Sequence, residues 1–292
     1  MTSLIGAFRR RSLVAVTGVR HGLGNRVRVV LGCRSLARAE GRAFFYTWTT
    51  GADFGATMDE LWSFNERTMS RSAARALAVR FPYRDNTLEW LDDAARADRV
   101  LQIKTPHALV LPAGAVPWDH DLRALRPVGA IVDRVRAIHK SSLAPQPYVG
   151  VMIRSHQNSH AATRETSPVE WYVRRMKEIR EVEPDMRFFV SADTEEARAF
   201  VSEQVPGTVS QSDKGAFNSA AGLRSAVADL YLLASSTRLL GPHFSSFPEL
   251  AQKLAGDGMV LETPMSTPEP FDRTTALTVV EDPSRPSVRL SP

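Results

Sequence analysis

Apolar and polar positions follow two rhythms along this chain. Short, mostly apolar segments alternate with longer stretches whose apolar residues return every three or four positions. The first kind fits strands buried on both faces, the second amphipathic helices. In the second half PYVGVMI (147–153) reads as a buried strand. Ser167-Pro168-Val169-Glu170 then looks like a capping box with proline at the first helical position, and Val169, Tyr172, Met176 and Ile179 carry a helical stripe. RFFVSA is the next strand, followed by a helix from Thr194 to about Glu203, and VPGTV supplies another short strand. Leu223 to Ser235 is helical with Ala226, Leu230 and Leu233 on one side, and TRLLG follows as a strand. Ser246-Phe247-Pro248-Glu249 looks like a second capping box opening the helix PELAQKLAG, before the strand GMVLE.

The first half starts in the same way. LVAVT is a strand, a helix over 25–39 aligns Val30, Cys33 and Ala37, Gly41 stops it, and AFFYTW is the second strand. Helices are expected around 56–65 and 69–79. Strands alternating with helices at this spacing imply right-handed βαβ units and parallel, doubly wound sheets. The Ser- and Pro-containing stretch KSSLAPQP (140–147) is the best linker, so the chain divides into domains 1–143 and 144–262. A Pro-, Ser- and Thr-rich tail, 263–292, is either loosely ordered or packed back on the body. The expected fold class is α/β, with two Rossmann-like domains whose parallel sheets face a cleft.

Composition narrows the picture. At 292 residues, 43% hydrophobic and 24% charged, the chain suits one large or two modest globular domains, and no run has the length of a transmembrane segment. The start, MTSLIGAFRRRSLVAV, has no long apolar core or small-residue cleavage site and does not read as a signal peptide. One cysteine, Cys33, excludes an internal disulfide and suits a reducing cytoplasm. Net charge is +5, yet the basic residues are nearly all arginine and lie among acids along the whole chain. That pattern argues against a nucleic-acid partner and leaves an anionic small ligand open.

Ligands of doubly wound sheets sit beyond the carboxyl ends of strands, where loops run into helices. Four such junctions carry unusual residues. In HGLGNR, Gly22 and Gly24 permit positive φ and close backbone approach, and Asn25 can cap the next helix or offer its amide to a ligand. A tight strand-to-helix turn with an Asn cap explains the same letters equally well. The stretch lacks the ending of a P-loop and the full dinucleotide fingerprint. Arg154, just after a buried strand, either holds a diphosphate through paired charge-assisted bonds or pairs with a nearby carboxylate. Asp193 with Glu196 three residues on is itself a helix N-cap arrangement. Asp229 lies among Leu230, Leu232 and Leu233, where a carboxylate is costly unless paired. Ser245 and Ser246 then stand at a helix N-terminus, an anion site by its free N–H groups and dipole, although capping alone needs only one of them.

Taken in order, GLGNR after the first strand, an arginine after the strand past the linker, a strand ending in Ala-Asp, and D-L-x-x-L-A-S followed by G-x-x-x-S-S-F resemble the GDP-fucose-dependent fucosyltransferases. That superfamily includes the alpha-1,6-, nodulation and protein O-fucosyltransferases. The resemblance runs from about residue 13 to 255. It implies a GT-B-type fold with the acceptor side N-terminal and the nucleotide sugar mainly on the C-terminal domain. It also implies inverting transfer to a glycan or small-molecule hydroxyl with no obligatory metal or cofactor. By motif, Arg154 would grip the β-phosphate of GDP as the catalytic residue. Asp193, Asp229, Ser245, Ser246 and Phe247 would bind the donor, with Gly22, Gly24 and Asn25 as the N-terminal wall. Two positions depart from the pattern: Met152 stands where the family often has histidine, and Ser155 where a basic residue commonly follows the arginine. His156 or His21 could compensate.

Three other readings use the same architecture. One is another nucleotide-sugar transferase, and a second is a catalytically inactive nucleotide-sugar or glycan-binding protein. The third, a dinucleotide-binding oxidoreductase, is weakened because no acidic residue clearly ends AFFYTW, where a ribose-binding carboxylate belongs.

Overall fold

The computed structural model describes residues 10–84, 97–256, 258–266, 270–271 and 279–290. The expectation for the extreme N-terminus, residues 1–9, lies outside them, as does most of the early tail. The chain divides into two compact units, one of residues 1–126 with 218–223 and one of residues 127–217 with 224–292.

The first unit holds a five-stranded, wholly parallel sheet of order β3-β2-β1-β5-β4. Its strands are β1 (Ser12–Val16), β2 (Ala43–Thr47), β3 (Arg67–Thr68), β4 (Tyr83–Arg84) and β5 (Val100–Ile103). Helix α1 (Leu23–Ala39) makes the first crossover, and Gly41 at φ 62° ends it. Val30, Cys33 and Ala37 are buried as the helical stripe requires. Burial pushes the Cys33 thiol pKa upward. Helix α2 (Arg71–Ala78) matches the expected 69–79 segment and is capped by the Ser70 side chain, which accepts from Ala73 N at 3.2 Å. The expected helix at 56–65 is absent. Met58, Leu61 and Trp62 there are buried in an irregular loop, so their spacing reflects tertiary packing and not a helical stripe. Helix α3 (Trp118–Ala124) completes the described helices of this unit.

The second unit has a four-stranded parallel sheet of order β7-β6-β8-β9, from β6 (Tyr148–Ile153), β7 (Arg187–Ala192), β8 (Arg238–Leu240) and β9 (Val260–Glu262). All six residues of β6 are buried, as expected for a strand covered on both faces. Val149, Val151 and Ile153 pack with Tyr172, Met176 and Ile179 of α6 (Val169–Val182). On the other face a Cβ at Gly150 would lie 2.8 Å from Ser236 Oγ and 3.1 Å from Leu233 Cδ2. Glycine therefore lets the end of α8 (Ala220–Ala234) approach closely. Helix α4 (Gly129–Ile138), the short α5 (Ala161–Thr166), α7 (Glu195–Gln204) and α9 (Ser246–Ala255) complete the helices.

Several expectations are revised. KSSLAPQP is not an open linker. Residues His139–Leu143 prolong α4 as a π-helical turn, and Ala144 N donates to His139 O at 2.8 Å. The division between units falls at 126/127, whereas the composition suggested 143/144. VPGTV makes only a single bridge, Val209 to Phe189. The described part of the tail packs back: β10 (Val279–Val280) and β11 (Arg289–Leu290) form an antiparallel ribbon. Arg289 donates to Ala234 O and Ser236 O, and Asp282 pairs with Arg136 at 2.7 Å.

Candidate functional site

In the second sheet, strand order runs outward on either side of the β6/β8 pair, so the chain reverses direction of growth between these two strands. A ligand crevice belongs outside their carboxyl ends. Two sequence-selected segments meet there. Arg154 follows β6 directly, and its guanidinium lies 5.9 Å from the Phe247 ring centroid in the first turn of α9. Its Nη1 is 3.5 Å from Asp193 Oδ2, and the side chain keeps 27% of its surface exposed. The arginine thus has the carboxylate partner that one reading required and still faces the turn that the other required.

Asp193 follows β7, and its carboxylate is the hub of the loop after Arg154. Oδ1 accepts from Ser155 N at 2.7 Å and His156 N at 3.0 Å; Oδ2 accepts from Ser159 Oγ at 3.0 Å. It does not cap α7. Thr194 does, its hydroxyl accepting from Ala197 N at 3.3 Å. Main-chain donors arriving from the neighbouring loop outcompete the local capping bond. Ser155, where a basic residue was expected, also spends its hydroxyl on Asp193 and Thr194. Met152 is 3% exposed within β6.

The segment after β8 is shaped by close packing. A Cβ on Gly241 would sit 2.7 Å from Pro248 Cβ, so only glycine brings the strand end against α9. Phe244 is held at φ 56°, unusual for an aromatic residue, with its carbonyl accepting from Thr163 Oγ1 at 3.2 Å. His243 N donates to Ser167 Oγ at 2.9 Å. Ser167 therefore does not cap α6, whose N-cap is Pro168 without a side-chain bond; its hydroxyl braces the 242–247 turn. Nor does Ser246 cap α9. It is the first helical residue, Ser245 is the N-cap, and no side-chain bond caps the helix. Because Pro248 has no N–H, a capping box opened by Ser246 has less to satisfy, and the amides of this first turn keep no side-chain acceptor from Ser245.

Asp229 is buried and paired. Its oxygens accept from Ser191 Oγ at 2.7 Å, Gln211 Nε2 at 2.5 Å and Lys214 Nζ at 2.6 Å. Lys214 also donates to Ala192 O at 3.0 Å, which ties the 211–214 loop to the end of β7. The carboxylate joins α8 to the sheet, so a donor contact would come on top of three internal bonds.

HGLGNR belongs to the first unit and follows β1, where that sheet too reverses its strand order, between β1 and β5. The glycines here differ from expectation. Gly22 is the N-cap of α1 at φ −67°, and neither it nor Gly24 adopts positive φ. Gly18 is the glycine that close approach demands: a Cβ there would lie 2.6 Å from His21 Nε2, and Gly18 N donates to His21 Nδ1 at 3.1 Å. Asn25 lies inside the first helical turn and caps nothing; its Oδ1 is buried without a hydrogen-bond partner. Arg26 was not singled out, yet its guanidinium is fully buried and organises the loop.

The structure brings together Arg154, Asp193 and Phe247, with Ser245 and Ser246 on the same turn. It places Gly22, Gly24 and Asn25 in the other unit. The sequence reading missed Lys214, Thr163, Ser159 and the bracing role of Ser167. An isolated lysine in a chain nearly devoid of lysines was the one legible hint, since the other three act through contacts remote in sequence. Among the described residues no group of three or more His, Cys, Asp or Glu could hold a metal ion, and no helix is long and apolar enough to cross a membrane.

Two parallel Rossmann-like sheets, each reversing its strand order at a switch point, define an α/β architecture of GT-B type. Among solved structures this is the fold of the fucosyltransferases. NodZ alpha-1,6-fucosyltransferase co-crystallised with GDP is 16% identical, with 83% of this chain and 92% of that chain covered and a TM-score of 0.54. POFUT1 in complex with GDP-fucose is 13% identical over 88% and 99% of the two chains, TM-score 0.54. A FUT1 variant of Arabidopsis thaliana in complex with GDP is 13% identical over 92% and 76%, TM-score 0.56. No family model matches the chain, and no curated protein matches it by sequence.

Proposed function

We propose that this protein is an inverting glycosyltransferase that moves fucose from GDP-fucose to a hydroxyl of a glycan or small-molecule acceptor, without a divalent cation. One observation carries the reading: a partly exposed arginine at the carboxyl end of β6 stands over Phe247 at the start of an uncapped helix. Solved proteins of the same fold bind GDP or GDP-fucose, which fits a diphosphate at this place.

In the reaction the bond between the fucose anomeric carbon and the β-phosphate oxygen breaks, and its electron pair stays on the phosphate. An acceptor oxygen attacks the opposite face and surrenders its proton to a base or to water. Charge therefore grows on the diphosphate. A fixed guanidinium and the amides of the α9 terminus stabilise that charge more in the transition state than in the ground state. Asp193 aims the arginine but leaves its second edge available, which is the work a metal ion does in other transferases. The single buried cysteine suits action in the cytoplasm.

The test is Arg154→Ala. Loss of one preorganised donor lowers the rate by about 10²–10³-fold, and the rise in melting temperature produced by GDP should shrink with it. Folding should survive, because Asp193 keeps its donors from Ser155, His156 and Ser159. Wild-type turnover in this variant would end the proposal. Met152 and the engaged Ser155 favour one second reading, an inactive nucleotide-sugar-binding protein. A GDP-induced shift without release of fucose would select it.

A further inference from the structure

The segment that leaves β6 carries Arg154 at its start and two buried hydroxyls near its end. These are Thr163 in α5 and Ser167 just after it, 2% and 3% exposed. Between arginine and hydroxyls the chain is tied at short range. Asp193 gathers the amides of Ser155 and His156 and the hydroxyl of Ser159. Arg164 Nη1 donates to Gln157 O at 2.7 Å and to Ser159 O at 2.5 Å. Arg154, Thr163 and Ser167 therefore share one cross-braced framework.

Both hydroxyls are spent on the 242–247 turn. Thr163 Oγ1 donates to Phe244 O at 3.2 Å, and Ser167 Oγ accepts from His243 N at 2.9 Å. The turn needs such help. Phe244 sits at φ 56°, a left-handed backbone unfavourable to a bulky residue, and its ring, 65% exposed, gains little burial in return. A conformation of this kind persists only where its surroundings over-determine it. Without the two hydroxyls the turn would relax, and the amides at the start of α9 would shift with it. We propose that Thr163 and Ser167 are positioning residues for the diphosphate. They hold the α9 terminus at a fixed place relative to Arg154, without touching the donor. This rests on the transferase reading, and every residue it uses lies in the second unit.

The experiment compares wild type with Thr163→Val and Ser167→Ala, which delete the hydroxyls, and with Thr163→Ser, which keeps one. GDP release from GDP-fucose is followed with water as the acceptor, and melting temperature reports the fold. Displacing a catalytic group by about 1 Å costs up to about 10²-fold in rate. The expected result is a kcat about 10- to 100-fold lower in each deletion, a smaller rise in KM for GDP-fucose, and recovery of kcat in Thr163→Ser. An unaltered kcat in folded Thr163→Val, a loss confined to KM, or an equal loss in Thr163→Ser overturns the proposal. If Thr163→Val does not fold, Ser167→Ala is judged by the same split. A wild type that releases no GDP defeats the transferase reading and the role that rests on it. An active wild type beside variants of unchanged kcat defeats the positioning role alone.

Discussion

Replacing Lys214 by methionine should destabilise the second unit more than replacing its partner Asp229 by asparagine. The pair is unequal in its surroundings: the Asp229 side chain is 4% exposed and the Lys214 side chain 23%. Lys214→Met removes the 2.6 Å ion pair and leaves a buried carboxylate with two neutral donors, Ser191 and Gln211. Breaking a buried pair from one side costs about 3–5 kcal/mol. The two remaining donors and water entering past the missing lysine favour the lower end, about 3 kcal/mol, or roughly 6–12 °C in melting temperature for a unit of this size. Asp229→Asn leaves an ammonium that can turn to solvent, and should cost only about 1–2 kcal/mol. Urea denaturation monitored on both variants at pH 7 gives the comparison. A deficit equal to or smaller than that of Asp229→Asn would refute this account of the cluster. Loss of GDP binding in a well-folded Asp229→Asn would show that the carboxylate serves the donor as well as the fold.

Two further outcomes are expected. Gly241→Ala should cost about 1–3 kcal/mol by overpacking, since its Cβ would meet Pro248 and Leu261 at 2.7 and 3.0 Å; an unchanged urea midpoint would contradict that. The hydrogen bond from Arg136 holds the Asp282 carboxyl well below the usual carboxylate range. Its folded pKa is depressed, so its contribution is complete above the unfolded value of about 3.9 and is lost as pH falls further. Amide exchange of residues 279–290 should therefore accelerate below about pH 4, and at neutral pH in Arg136→Gln. Protection that persists in both cases would remove the ion pair as the anchor.

The sequence by itself determined which segments are strands and helices wherever apolar period and length agreed, as in β6, β7, α6 and α1. Those patterns are set by neighbours in the chain, and they sufficed for two parallel α/β sheets. It failed where one local rule met a stronger remote partner. Ser167 and Asp193 have every capping credential, yet one hydroxyl braces His243 and one carboxylate gathers the 155–159 loop. Met58, Leu61 and Trp62 imitate a helical stripe because they fill a core from an irregular loop. Only tertiary structure could decide that Gly18 and not Gly22 is the glycine of this loop packed against a neighbour, because the neighbour is an imidazole ring folded onto it. The same holds for Arg26 and Lys214: their charges are visible as letters, but burial and partners turn one into a brace and the other into a counter-ion.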